Sequence, residues 1–82
     1  MYTSNQGGSL MKKTTIYERN GYRLISYGNG WAYEIQDMVH NKSAWLQDED
    51  AHQFRDDFER AYEFGTDYTM CALFGSYEGV MS

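Results

Sequence analysis

The chain has 82 residues and a net charge of −5, with 41% hydrophobic and 23% charged residues. That is enough for one small globular domain with a modest core, and it excludes a disordered polyampholyte. A single cysteine, Cys71, excludes an internal disulfide framework and points to a reducing compartment, and no run approaches the ~18 apolar residues of a membrane span. No basic start followed by an apolar run and a small-residue cleavage site is seen, so the reading is a cytoplasmic protein without a secretory signal.

The opening stretch MYTSNQGGSL is polar and rich in Gly and Ser. Residues 1–11 read as a flexible leader ahead of a single domain over 12–82, and Met11 of MKKTT reads as an internal translation start that would make the first ten residues an upstream extension. Strand signals follow: TTIYER (14–19) and YRLISY (22–27) flank Asn20-Gly21, the pairing that favours a two-residue hairpin because both positions accept positive φ. GNG (28–30) makes the next turn. WAYEIQDMV (31–39) alternates with period two, placing Trp31, Tyr33 and Ile35 on one face and Ala32, Glu34 and Gln36 on the other. HNK (40–42) turns the chain into a short strand, SAWLQ (43–47). Connections this short dictate an antiparallel meander.

At Asp48 the period changes from 2 to 3.6. Asp48 is the expected N-cap of a helix over 49–64, with Glu49 and Asp50 near the positive end of its dipole. Ala51, Phe54, Phe58, Ala61 and Tyr62 fall within an arc of roughly 100° that packs on the sheet face bearing Trp31, Tyr33 and Ile35. Gly65 ends the helix. Residues 68–74 are read as a second short helix capped by Asp67, with Met70, Cys71 and Phe74 inward and Gly75 as the stop; an edge strand is the alternative. The expected fold class is α+β: a four-stranded antiparallel meander, a main helix packed on it, and a short C-terminal helix.

The charge is unevenly laid out. Residues 1–47 carry five basic and three acidic side chains, a net +2, whereas residues 48–82 carry two basic and nine acidic, a net −7. In helical projection Glu49, His52, Asp56, Glu59 and Glu63 follow a 3-4-3-4 spacing and form one stripe about 100–150° from the apolar arc. Arg55 and Arg60 lie at its edges, with Arg55–Glu59 and Asp56–Arg60 expected as i,i+4 pairs. Two arginines leave the stripe negative, so it is either a solvated face or an acidic surface that docks on a basic partner.

Other chemistries find less support. His52 and Asp56 share a face, but no EF-hand spacing or HExxH accompanies them, and His40 and Cys71 lack further ligands, so no metal or cofactor is expected. A Cys71 nucleophile has no local histidine, and paired carboxylates without a pocket carry no acid–base reading, so no catalytic residue is assigned and the protein is not read as an enzyme. Lys12, Lys13, Arg19 and Arg23 lie beside Tyr17, Tyr22 and Tyr27, the composition of a base-stacking sheet, but the acidic balance argues against direct nucleic-acid binding.

The 82-residue length, the Asn-Gly hairpin, the meander through WAYEIQD and the acidic helix DEDAHQFRDDFERAYEF together resemble the small acidic inhibitors that phages and plasmids encode, including anti-CRISPR proteins. The resemblance covers roughly residues 12–64. It implies an inhibitor that covers a basic, nucleic-acid-binding surface of a host complex such as a CRISPR effector, and it carries over no functional residue; the stripe is assigned as the partner-binding face from the helical projection alone. The alternative is an accessory domain whose aromatics build a homodimer and whose acids are only solvated.

Overall fold

The computed structural model describes residues 12–82; the expected leader over 1–11 lies outside the described residues. Strands β1 (Lys13–Arg19), β2 (Tyr22–Tyr27), β3 (Ala32–Asp37) and β4 (Lys42–Gln47) form one sheet in the order β1-β2-β3-β4. All three pairings are antiparallel, as the short connections require. Asn20 and Gly21 have φ of 54° and 83°, the positive values that fit a two-residue turn to the twist of its strands. The β1–β2 register shifts at a bulge between Thr15 and Tyr17, which re-aims the strand so that Tyr17 faces the core.

β4 runs without a loop into α1 (Asp48–Phe64), and α2 (Asp67–Gly75) and a 3-10 turn (Glu78–Val80) follow. The expected cap is corrected: Gln47 occupies the N-cap position without a side-chain hydrogen bond, while Asp48 takes φ 56° and absorbs the abrupt change of direction. A short acidic side chain tolerates that left-handed backbone better than most. Gly65 closes α1 by donating its N–H to the Ala61 carbonyl, and a Cβ there would come 2.7 Å from that same oxygen. Residues 67–75 are helical, which removes the edge-strand alternative. The cap of α2 is Thr66, whose Oγ1 accepts from the Thr69 N–H at 3.3 Å; Asp67 instead pairs with Arg19 at 3.2 Å.

The helices cover one face of the sheet. Leu24, Tyr33, Ile35, Ala44 and Leu46 from the strands meet Ala51, Phe54, Ala61, Met70 and Phe74 from the helices. Two rings organise this core. Phe54 lies 6.0 Å from Tyr33, 5.9 Å from Phe74 and 5.3 Å from Tyr77, and Phe74 stacks on Tyr17 at 5.3 Å and Tyr22 at 5.2 Å. Aromatic pairs of this kind add about 0.5–1.5 kcal/mol each beyond the area they bury.

Four expected core positions are corrected. Trp31 is 52% exposed, because it follows Gly30 (φ 96°) in the turn and the alternating strand begins only at Ala32. Tyr62 is 69% exposed, stacked on Phe58 at 5.9 Å at the flank of the helix. Phe58 and Cys71 are only partly buried. Tyr17 and Tyr22, grouped with the basic residues in sequence, pack against the core. Among the described residues no helix is long and apolar enough to cross a membrane.

Candidate functional site

The outer face of α1 follows from the phase of its apolar residues. With Ala51, Phe54 and Ala61 turned to the sheet, the 3.6 period puts Glu49, His52, Asp56, Glu59 and Glu63 outward, and all five are exposed. The helix carries seven carboxylates and two arginines and has no basic residue in its last turn. Asp48, Glu49 and Asp50 sit in the first turn, where the helix dipole favours them.

The two arginines are already engaged. Arg55 Nε donates to Glu59 Oε2 at 3.2 Å, as the i,i+4 spacing predicts, and this hydrogen bond raises the guanidinium pKa further. Arg60 Nη1 donates to Asp57 Oδ1 at 3.2 Å, so the expected Asp56–Arg60 pair is replaced by an i,i+3 pair. Asp56 forms no ion pair among the described residues, and neither do Glu49 and Glu63. A shallow depression lined by Glu49, His52, Gln53, Asp56, Asp57 and Arg60 runs along this face. It offers negative potential and hydrogen-bond acceptors to a cation, but no enclosed cage.

A second polar cluster lies at the far end of the sheet and joins residues about forty positions apart. The Asp37 side chain is only 4% exposed. Its Oδ1 accepts the Val39 and His40 backbone N–H groups at 3.0 and 3.1 Å, and its Oδ2 accepts His40 Nδ1–H at 2.8 Å. Glu78 accepts from the Tyr22 hydroxyl at 2.9 Å and pairs with Lys42 at 3.3 Å. Burial pushes the Asp37 carboxyl up, but the hydrogen bonds from the His40 side chain and backbone outweigh it and hold the group well below the ordinary carboxylate value. Burial, then the bond to Glu78, pushes Tyr22 up to about 12. Asp37, His40 and Glu78 bring ligand-type atoms within 4.8 Å of one another, the one such group found among the described residues. Those atoms already bond to backbone, Tyr22 and Lys42, so the arrangement works as a tie. It joins the β3–β4 turn to the C-terminal segment, where Ser82 and Ser43 also exchange two backbone hydrogen bonds. No local spacing in the sequence announces it, since Glu78 arrives through the tertiary fold.

On the sheet face opposite the helices, Tyr27 and Trp45 pack at 4.8 Å between centroids, and Tyr27 donates its hydroxyl to Glu34 at 2.8 Å. Half of Trp45 is open to solvent. Of the basic residues near the first hairpin, Arg19 is paired with Asp67 and Arg23 with Glu18.

No family model matches the chain, and neither a curated protein nor a solved structure matches it. Its surface therefore carries the functional argument.

Proposed function

We propose that this is a protein-interaction domain that docks the acidic face of α1 on a basic surface of a partner, and that it acts as an inhibitor by covering a surface that otherwise binds nucleic acid. One observation carries this reading. Glu49, His52, Asp56, Glu59 and Glu63 share one exposed helix face whose flanking arginines are spent on Glu59 and Asp57. A face of that kind steers association with a basic partner and fixes its register. The role fits the small acidic inhibitors that phages and plasmids encode against host nucleic-acid machinery such as CRISPR effectors, acting in the cytoplasm. It requires no catalytic residue, metal or cofactor.

The test is competition. A partner captured on the immobilised protein at low salt is purified, and its nucleic-acid complex is followed by fluorescence anisotropy as the protein is added. The reading expects displacement of the nucleic acid, weakened by salt and by reversing Asp56 and Glu59 to Lys. A ternary complex with the nucleic acid retained removes the inhibitor role.

The Tyr27–Trp45 pair on the open sheet face supports a second reading, a homodimer built by aromatic residues with the acids only solvated. A dimer that light scattering finds insensitive to salt, and that Trp45→Ser dissolves, favours it.

A further inference from the structure

The second helix has a composition that its surroundings do not explain. DYTMCALFG is apolar around most of its circumference and carries one charge, Asp67, which is tied to Arg19. Helices apolar all round are normally covered all round. Here only Met70 and Phe74 are buried, while Tyr68 is 83% exposed and Thr69 and Ala72 also face solvent. At the end of α1, Phe64 is 81% exposed. Between the two helices lies an open groove of about 510 Å³, lined by Ala61, Phe64, Gly65, Thr69, Ala72 and Leu73 and bounded by Asp57 and Arg60. Gly65 lets the helices approach closely there, since a Cβ would come 2.9 Å from the Thr69 Cβ.

The position of this groove is as informative as its lining. Asp57 and Arg60 also bound the acidic depression that holds Glu49, His52 and Asp56. The apolar groove and the acidic face are therefore one continuous surface, meeting along a single ion pair. A ligand that fits both halves carries apolar side chains on one side and positive charge on the adjoining side.

We propose that the α1–α2 groove receives an amphipathic basic helix of the partner, a reading that rests on the acidic face being a docking surface. The wall from Asp57 to Phe64 spans about two helical turns, room for two apolar anchors at i and i+4. The lysines or arginines of the incoming helix then lie across Asp56 and Glu49, and Phe64 closes over its apolar side. The charge supplies encounter rate and the groove supplies residence time.

The test uses two synthetic helical peptides of about 14 residues with equal numbers of lysines. One carries two leucines at i and i+4; in the other these are glutamines. Each is titrated into the isotope-labelled full chain and followed by amide chemical shifts. The leucine peptide is expected to bind about tenfold more tightly or better, shifting Ala61, Phe64, Thr69 and Ala72. The glutamine peptide should shift only the acidic face of α1. The double variant Phe64→Ser, Ala72→Gln changes two exposed side chains; it should abolish the preference while leaving glutamine-peptide affinity intact. Equal affinities, no shifts at the groove, or a preference that survives in the double variant would overturn the proposal. A separate variant, Asp56→Lys with Glu59→Lys, tests the reading beneath it: if glutamine-peptide binding is undiminished, the acidic docking face fails while the groove result stands.

Discussion

Arg60 reaches back one turn to Asp57, 3.2 Å away, and leaves its other carboxylate neighbour, Asp56, uncompensated. The pair keeps a positive charge at the border of the apolar groove and concentrates the unpaired acids on the other side of it. Asp57→Asn is expected to cost up to about 0.5 kcal/mol, the worth of a surface helix pair. Asp56→Asn should be neutral or slightly stabilising, since it relieves like-charge repulsion. Denaturant midpoints of the two variants check the assignment; the reverse order would put Arg60 on Asp56.

Phe54 and Phe74 are fully buried and touch each other, and truncation of either to Ala is expected to cost about 3–5 kcal/mol. Phe58→Ala should cost less, about 1–2 kcal/mol, because part of its ring remains in water. In a domain this small the first two variants approach the whole stability. Thermal melts distinguish the cases, and an equal loss for all three would mean that Phe58 is as buried as its neighbours.

The alternation and the 3.6 period made the strands, α1 and its acidic face readable, because burial on one side of an element is written directly into residue spacing. The errors mark where periodicity ends. Trp31 continues the alternation of β3 in sequence but sits in a turn set by Gly30. Tyr62 is in phase with Phe58 but at the rim of the helix footprint, since among the strands only β4 and β3 make substantial contact with α1, and Phe74 from α2 covers Tyr17 and Tyr22. The Asp37–His40–Glu78 tie and the α1–α2 groove were not legible, because both depend on where the C-terminal segment folds back.

The tie sets a pH dependence whose sign follows from its shifts. The folded-state pKa of Asp37 is depressed, so its stabilisation is present above the unfolded value near 3.8 and is lost as the pH falls below it towards the folded value. Asp37→Asn should therefore lower the melting temperature at neutral pH and flatten its decline in acid. A decline as steep as that of the wild type would place the acid sensitivity elsewhere.

At the alkaline end the sign reverses. Tyr22 and Tyr27 are pushed up to about 12, by burial first and then by their bonds to Glu78 and Glu34. Their contribution is complete below the ordinary value of 10.0 and is lost as the pH rises through the folded value. Tyr22→Phe should remove part of the loss of melting temperature between those two values, and absorbance at the phenolate band reports the titration itself.

The central claim is that the acidic face of α1 meets a basic partner. Its most direct test is the association rate of the purified partner with wild type and with the Asp56→Lys, Glu59→Lys variant at two salt concentrations. Both proteins are first shown by circular dichroism and thermal melting to be equally folded, since exposed substitutions usually change stability by less than about 0.5 kcal/mol. The account predicts a wild-type rate that falls steeply with salt, and a variant rate that is slower and nearly salt-independent. Equal rates and equal salt dependence in the two proteins would contradict it and leave the acids as a solvated face.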